Sequence, residues 1–392
     1  MTVYDTAFSA TTASPVFFDE EHQMLRDQVR RFVETEIKPN GLQWEEDGMV
    51  PRALFRKMGE IGFFGIRYPE EFGGSGLDHR ATIVWAEELG RSTFSGVAIG
   101  ALVHTDMASI HIWNAGNDEQ RRKWIPKCIS GEAVSAVAVS EPGAGSDVKG
   151  ITTRARRDGD DWVLNGSKLF ITNGVHADLY CVAAKTDPEA KPSRSVTMFL
   201  VEKGTPGFSV GRQLDKHGWR SSDTAELVFE DARVPATNVL GEEGRGFYEI
   251  MKNFQNERLV IGAMAMGEAQ VALEITLDWV KGRNAFGAAL WEKQAIRQRL
   301  AMLAARVEAC RQMIYATGRR AALGEDVVRE VSMIKALAGE LVNEVMYDCV
   351  QFHGGMGFMR ESTIERMSRD ARVQSIGGGA TEVMLEEVAK RM

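Results

Sequence analysis

The sequence predicts an α+β fold with an N-terminal α-helical domain, a middle antiparallel β domain and a C-terminal helical bundle. Apolar residues recur at helical spacing before residue 130, short β-prone runs follow, and long stretches rich in Ala, Leu, Met, Glu and Arg complete the chain. Strands and helices do not alternate as in a dinucleotide-binding βαβ sheet. The expected domains are residues 1–135, 136–243 and 244–392.

The first helical region begins near residue 17. Asp19 is placed to cap a helix, because an acidic side chain at this position accepts hydrogen bonds from the first turn. Leu25, Val29 and Phe32 then recur three and four residues apart, which is the spacing of one helix face. The Gly-rich residues 71–76 interrupt this pattern before helical periodicity resumes.

The middle region has the composition of short strands and turns. Asn165-Gly166 stands between two β-prone runs, residues 161–164 and 167–172. Asn-Gly favours a two-residue turn with positive φ at both positions, so the sequence predicts a hairpin here. Further strands are predicted at residues 197–201 and 226–229.

Composition and charge argue against several classes of protein. The 392-residue chain carries a formal net charge of −8, so tight non-specific nucleic-acid binding, which needs clustered Lys and Arg, is not expected. No run of about 18 apolar residues occurs, so no membrane span is expected. The histidines form no ligand cluster, and no metal site is expected. The cysteines lie far apart and are predicted to be buried thiols: Cys128, Cys181, Cys310 and Cys349.

The N-terminal residues suggest a cellular location. Residues 1–15 have neither the Arg-rich composition of a transit peptide nor the basic start and apolar core of a secretory signal, and the first basic residue is Arg26. We therefore expect a cytoplasmic protein.

A Gly-rich turn follows a β-prone run at residues 138–147. Gly143 and Gly145 allow backbone N–H groups to approach an anion, and Ser146 can donate a hydrogen bond to a phosphate. A tight turn without a ligand is the alternative, and the third glycine of the Rossmann fingerprint is absent.

Glu257 interrupts an apolar helix face. Ile250, Phe254, Glu257, Ile261 and Met264 are spaced by four, three, four and three residues. A carboxyl group on such a face is either ion-paired or a buried general base with a raised pKa. The next residue is an arginine, but adjacent residues do not face each other on a helix. Both interpretations stay open from the residues alone.

Two further Gly-rich segments interrupt the C-terminal helical pattern. Residues 351–358 contain three glycines within four positions, so the backbone bends there or a ligand approaches it closely. Residues 376–382 predict a turn that opens a helix, whose first N–H groups can hold an anion. Either segment, taken alone, also has a purely structural interpretation.

These four features, in this order, resemble the acyl-CoA dehydrogenase family. One signature runs from Ala138 to Gly150, and the second begins at Gln351 and continues to Asp370. The resemblance covers the chain from about residue 17 onward and is nearest to the long-chain and isovaleryl types. It implies an N-terminal helical domain, a middle β domain and a C-terminal four-helix bundle. It also implies FAD between the β domain and the bundle, and a homotetramer.

The resemblance implies cofactor contacts by position. Residues of the middle region would lie beside the flavin ring and the pyrophosphate. The segment 283–294 would reach the FAD of a neighbouring subunit, and residues 351–355 would hold its adenosine end. The full set is Val139, Ser140, Gly145, Ser146, Phe170, Ile171, Thr172, Arg283, Phe286, Gln294, Gln351, Gly354, Gly355, Ala380, Thr381 and Glu382.

The catalytic base follows from the same resemblance. Most members carry it on the C-terminal loop, at the position of Gly378, and glycine has no acid–base group. Long-chain and isovaleryl-type members instead place a Glu before an Arg on the first long bundle helix, which matches Glu257 and Arg258. We therefore expect Glu257 to be the base and Arg258 to orient it or the loop.

Other positions implied by the resemblance concern substrate and cofactor. Substrate contacts are expected from Ser146, Gln255 and Arg258. Ala380 stands where the family usually has Thr, so Thr381 is the candidate to supply that hydroxyl.

The implied reaction is α,β-dehydrogenation of an acyl-CoA. Glu257 would remove the proton beside the thioester carbonyl, and the flavin N5 would accept hydride from the next carbon, giving trans-2-enoyl-CoA. A ribityl hydroxyl of FAD and the Gly378 N–H would stabilise the carbonyl oxygen. A long-chain or branched acyl-CoA is the expected substrate, and an electron-transferring flavoprotein the expected acceptor. The alternatives are an oxygen-using oxidase or monooxygenase and a non-catalytic FAD-binding partner subunit.

Overall fold

The computed structural model describes residues 14–392, and residues 1–13, on which the location prediction mainly depends, lie outside them. The N-terminal region is helical, as predicted. Its α-helices are α1 (Glu20–Phe32), α2 (Gly41–Asp47), α3 (Arg52–Glu60), α4 (His79–Gly90), α5 (Ser95–Leu102), α6 (Ser109–Ala115) and α7 (Asp118–Ile129), with π-helical turns at Val33–Ile37 and Val103–Ala108.

Helix α1 begins after Asp19, as predicted, and its first turn is acidic. Its buried Arg26 donates to Glu87 and Glu88 of α4, at 2.9 and 2.8 Å. Arg311, from the C-terminal region, donates to the other oxygen of Glu87 at 2.8 Å. Buried carboxylates are tolerated only when paired in this way, so the pairs fix how these helices meet.

The middle region forms one sheet. Its strands are β1 (Ser135–Ala138), β2 (Arg154–Asp158), β3 (Asp161–Thr172), β4 (Leu179–Lys185), β5 (Val196–Glu202), β6 (Phe208–Gln213), β7 (Thr224–Pro235) and β8 (Val239–Leu240). Their order is β6-β7-β3-β2-β4-β5-β8, with β1 added beside β4. Antiparallel pairing prevails, while β1 and β2 pair with β4 in parallel. The strands predicted at 197–201 and 226–229 are confirmed within β5 and β7.

The predicted hairpin at Asn165-Gly166 is wrong, because β3 runs straight through it. The pairing of β3 with β7 shifts register between Leu164 and Gly166, which is a bulge and not a turn. The side chain of Asn165 bonds with Asp231 of β7 at 3.0 Å, and this bond replaces the turn chemistry that Asn-Gly usually serves. The turn that joins β2 to β3 instead contains Gly159, whose φ is +62°.

The C-terminal region contains three long helices and two short ones. These are α8 (Gly246–Gly282), α9 (Gln294–Ala322), α10 (Val328–His353), α11 (Thr363–Ala371) and α12 (Thr381–Ala389). A small hairpin of β9 (Asn284–Ala285) and β10 (Ala288–Ala289) joins α8 to α9. The short helices α11 and α12 both pack on α10.

Helix α8 is the central element. A Cβ at its Gly267 would lie 2.1 Å from the Glu87 carbonyl oxygen of α4, so the two helices approach almost backbone to backbone. By length and composition, α8 is the one helix within residues 14–392 that is apolar enough to cross a membrane, and 89% of its most apolar window is buried inside the protein. Charged residues such as Glu268 interrupt its apolar run, so no continuous stretch of about 18 apolar residues occurs. Its apolar residues pack in the core.

Candidate active site

Glu257 lies in the first half of α8 on the apolar face that the sequence predicted. Its side chain is buried, with the residue 6% exposed. Burial removes water from the carboxylate and is the main reason that the pKa of Glu257 is raised to about 8. A hydrogen bond from Asn253, one turn earlier, reaches Oε1 at 2.8 Å and acts in the opposite direction.

No ion pair joins Glu257 to Arg258 in the described chain, residues 14–392. Arg258 is buried and points toward α10, where its guanidinium lies 3.4 Å from the Ser332 hydroxyl. Its Nε has no hydrogen-bond partner among the described residues, and burial lowers its pKa. Arg258 therefore influences Glu257 through space and forms no salt bridge with it in this part of the chain.

The Gly-rich loop before α12 lies against α8. Gly378 has a φ of +66°, and a Cβ there would lie 2.6 Å from Cδ1 of Ile261, one turn beyond Glu257. The positive φ favours glycine at this position, and a larger residue would have to displace the end of the Ile261 side chain. The structure therefore brings the predicted loop residue and the predicted base to the same part of α8.

Lys335 of α10 anchors this loop through hydrogen bonds. Its buried ammonium donates to the backbone carbonyls of Gln374 and Gly379, on either side of Gly378. Burial lowers the pKa of Lys335 to about 8, with the nearby Arg258 adding to the effect. Sequence reasoning missed this residue, and the available signal was a lysine on the apolar face formed with Val331 and Ala338.

The residues that lead from this loop into α12 differ in exposure. Thr381 is buried, and its hydroxyl lies 3.5 Å from the Ser375 carbonyl oxygen. Ala380 is half-buried, and Glu382 is exposed in the first turn of α12. The Thr381 hydroxyl is thus directed into the loop, where it supports the turn.

The middle-domain residues predicted to contact a cofactor are brought together. The Leu169 N–H donates to the Ser140 carbonyl at 2.9 Å, which places the end of β1 beside β3. The buried Lys168 donates to the Val139 carbonyl at 3.0 Å and forms a buried salt bridge of 2.8 Å with Glu141. This pair was not predicted from the sequence. A lysine and a glutamate within β-prone segments were the feature that could have indicated it.

Phe170 is the conspicuous member of this group. It is 66% exposed, has a φ of +65°, and falls where β3 and β7 shift register. Positive φ is strained for a bulky residue, and bulges commonly re-aim side chains beside functional sites. Thr172 is half-buried, while the Ile171 side chain is buried in the sheet and leaves only its backbone accessible. Gly145 and Ser146 are exposed in the turn after β1.

A second group of residues predicted to contact the cofactor lies near the C-terminal end of α8. Trp279 of α8 donates to the Phe352 carbonyl at 3.1 Å and stacks on His353, which joins α8 to the Gly-rich end of α10. Arg283 lies beside the same Trp279 ring. Phe286 in the β9–β10 hairpin is 98% exposed with a φ of +54°. The other predicted residues here are also exposed: Gln294, Gln351, Gly354 and Gly355.

Each of these two groups has features that suit the binding of a large planar ligand. Each presents an exposed phenylalanine held in a strained backbone conformation. Nothing lies within 4 Å of a Cβ built on Gly145, Gly354 or Gly355, so a ligand can approach the backbone there. Half-buried hydroxyls of Ser140 and Thr172 supply polar contacts in the first group. The residues present therefore fit a flavin dinucleotide.

Comparison with known proteins is consistent with this geometry. Models of the N-terminal, middle and C-terminal domains of acyl-CoA dehydrogenase match residues 19–132, 136–232 and 244–392. Long-chain specific acyl-CoA dehydrogenase of Sus scrofa is 43% identical over 96% of this chain and 87% of its own length. This chain belongs to the acyl-CoA dehydrogenase family. It is an oxidoreductase that acts on CH–CH groups of acyl-CoA.

Other relatives fix the fold and the cofactor of this acyl-CoA dehydrogenase. Isovaleryl-CoA dehydrogenase of Pongo abelii is 37% identical over 93% of this chain and 86% of its own length. The solved acyl-CoA dehydrogenase of Geobacillus kaustophilus superposes with a TM-score of 0.92 at 42% identity, over 96% of this chain and 98% of that one. A glutaryl-CoA dehydrogenase of Mycobacterium smegmatis solved with FADH2 is 28% identical, with a TM-score of 0.90 over 97% and 96% of the two chains. The cofactor is FAD.

A second carboxyl group of α8 has similar electrostatics and was missed from the sequence. Glu268 is buried, and burial raises its pKa to about 8 as well. It accepts a hydrogen bond of 2.7 Å from Gln374 and lies where α4 and α8 are tightly packed. A raised pKa alone therefore does not identify the base. Ile261, one turn beyond Glu257, faces Gly378, whereas Glu268 bonds to Gln374 in the turn before this loop.

Replacement of Glu257 by Gln is expected to change how stability depends on pH. The raised pKa means that the folded protein keeps a proton which the unfolded chain releases near its ordinary value of 4.5, so the free energy of unfolding falls as pH rises from about 4.5 to about 8. Gln cannot titrate, so Glu257→Gln loses this slope. We expect its Tm relative to the parent to rise between about pH 4.5 and about pH 8. Parallel Tm profiles of the FAD-loaded proteins would contradict the buried-acid description.

Proposed function

We propose that Glu257 is the catalytic base of this acyl-CoA dehydrogenase and that the preferred substrate is a long-chain or branched acyl-CoA. The observation that carries the assignment is a buried carboxyl group on α8 beside a loop whose own residue, Gly378, has no acid–base group. Bound FAD supplies the hydride acceptor.

The raised pKa suits Glu257 to this task. A general base works best when its pKa lies near the working pH, and a buried carboxylate is a stronger base than one in water. Glu257 takes the proton from the carbon beside the thioester carbonyl. Burial of the acid among the apolar residues of α8 also keeps water away from the charge that develops.

The loop at Gly378 provides the complementary group. Its backbone N–H would donate to the thioester carbonyl oxygen as negative charge develops there, and such a preorganised donor is worth about 3–4 kcal/mol in acyl chemistry. Lys335 donates to carbonyls before and after this residue, which holds the loop against α10. Arg258 extends from α8 toward Ser332 of α10, near Lys335, and would help to position the loop through that lysine.

The substrate class is inferred from similarity and from the position of the base. The relatives at 43% and 37% identity are named for long-chain and isovaleryl substrates. A cavity of about 10 Å³ lies between α4 and the π-helical turn, lined by Trp85, Arg67 and Asp106 among others. That volume holds about one water molecule, so an acyl chain would have to displace the lining side chains to extend there.

The fate of the electrons is a further part of the proposal. We propose that they pass to an electron-transferring flavoprotein, with an oxygen-using oxidase or monooxygenase as the alternative on this fold. A non-catalytic FAD-binding subunit is the third possibility, and its support is the glycine at 378 and the alanine at 380. The buried Glu257 argues against it.

A homotetramer is proposed from the exposed apolar residues at one end of the bundle. Phe286, Tyr347 and Phe358 are all largely exposed there, and patches of this kind mark interaction sites. A second copy of the chain would cover them and bring Arg283 and Phe286 to the cofactor of its neighbour.

Anaerobic titration with acyl-CoAs of different length and branching tests the function. We expect stoichiometric loss of oxidised-flavin absorbance with long-chain or branched substrates and weak response to short straight chains. Reoxidation by air is expected to be slow, and by electron-transferring flavoprotein fast. Rapid turnover in air would support the oxygen-using alternative, and no absorbance loss with any thioester would support the non-catalytic one.

Glu257→Gln is expected to slow flavin reduction by about a hundred- to ten-thousand-fold, because the amide cannot take the proton. FAD content should be unchanged. The matched control is Glu268→Gln, which removes a buried carboxyl of the same helix with a similar pKa. Stopped-flow reduction rates measure both, and equal losses in the two variants would remove the assignment of the base to Glu257.

The tetramer makes a separate prediction. Light scattering is expected to give a mass of four times the 43.4 kDa chain. Phe286→Ser should lower both FAD retention and the assembled mass, because it removes the ring proposed to pack on a second copy and to reach the cofactor of that copy. The exposed Phe358→Ser should lower only the mass. A monomeric parent that holds FAD fully would contradict the proposal.

A further inference from the structure

We propose that Asn253 is a positioning residue for the reaction: its side chain orients the Glu257 carboxyl and favours the ionised, proton-accepting form. This inference rests on the proposed role of Glu257 as the base. Asn253 lies one turn before Glu257 on α8, so the two side chains share a face of the helix.

The geometry is that of a donor placed on the base. Asn253 Nδ2 lies 2.8 Å from Glu257 Oε1, and within residues 14–392 it is the one hydrogen-bond donor on this carboxyl. The same Nδ2 lies 3.2 Å from the Asp106 carbonyl oxygen in the π-helical turn. With one oxygen of Glu257 bonded, the other is left to accept the substrate proton.

The orientation of the amide is determined by its partners. The Asp106 carbonyl accepts hydrogen bonds only, and an ionised Glu257 does the same. The NH₂ group must therefore face both, which directs Oδ1 of Asn253 away from them. That Oδ1 is buried without a partner in the described chain, although an unsatisfied buried acceptor is destabilising. The bond from Asn253 to the Asp106 carbonyl is a structural contact, and the bond to Glu257 comes in addition to it.

A neighbouring asparagine shows what a structural role looks like here. Asn256 donates to the Asp106 carbonyl at 3.1 Å and to its carboxyl at 3.2 Å, and accepts from Arg67 at 2.6 Å. Its side chain joins α8 to the π-helical turn without touching Glu257. Both asparagines therefore bond the Asp106 carbonyl, and only Asn253 also bonds the base.

Among the groups around Glu257, Asn253 is the one that most favours the ionised form of this carboxyl. Burial and the buried carboxyl of Asp106 both disfavour a negative Glu257, while Arg258 on the same helix favours it less than Asn253 does. Arg67 lies 4.0 Å from Asp106 and acts mainly on that residue. Removing the Asn253 donor should therefore move the titration of Glu257 to higher pH.

The test compares Asn253→Leu with Asn256→Leu in the FAD-loaded protein. Each variant loses one bond to the Asp106 carbonyl, and only the first removes the donor from Glu257. The rate of anaerobic flavin reduction by acyl-CoA is measured across pH. We expect the midpoint for Asn253→Leu to rise by roughly one pH unit, because a hydrogen bond to a charged group is worth about that much.

For Asn256→Leu, the midpoint of the pH dependence of flavin reduction should equal that of the parent protein. Equal shifts in both variants would show that the effect runs through the π-helical turn, and no shift in either would show that the bond does not act on the base. Either result overturns the proposal. If Asn253→Leu fails to fold, Asn253→Ala removes the same donor with a smaller side chain.

A second readout separates this inference from the proposed function. The pH dependence of Tm, taken relative to Glu257→Gln, reports the titration of Glu257 without any turnover. If no acyl-CoA reduces the flavin, the proposed function fails, yet an upward shift of this midpoint in Asn253→Leu still shows that Asn253 favours the ionised carboxyl. An unchanged midpoint rejects the positioning role in an enzyme that turns over normally.

Discussion

The chemistry proposed for this protein depends on the burial of one carboxyl group in the apolar surface of α8. Removing water from Glu257 raises its pKa to about 8, and this requires that α8 be covered on nearly every side. Helix α4 supplies part of that cover through the close approach at Gly267, and the loop at Gly378 supplies another part against Ile261. A looser helix would admit water and return the acid to its ordinary strength.

Two buried lysines hold the segments that surround this helix. Lys335 donates to carbonyls on both sides of Gly378, and Lys168 donates to the Val139 carbonyl and to Glu141. In each case burial lowers the pKa of the lysine to about 8, so its charge is costly to keep and its hydrogen bonds must be well formed. The ammonium groups thus fix irregular backbone that no sheet or helix ladder would hold.

The two buried glutamates of α8 show why chemistry cannot be inferred from pKa alone. Glu257 and Glu268 share a helix, a buried setting and a similar titration. Glu268 bonds to Gln374 in the tightly packed contact with the N-terminal helices, whereas Glu257 bonds to Asn253 near the Gly378 loop. The difference between a structural acid and a candidate base is therefore one of neighbouring groups.

The sequence by itself determined the three-part order of helices, strands and helices, because hydrophobic periodicity and turn residues are local properties. It also determined the apolar setting of Glu257 and, through two signatures, the family. Cytoplasmic location and the domain limits stay predictions. Only the tertiary structure decided that Asn165-Gly166 lies inside a strand, since Asp231 from a distant strand bonds that asparagine. It likewise decided the partners of Glu257, Lys335 and Lys168, because a buried polar group takes its pKa from neighbours that are remote in sequence.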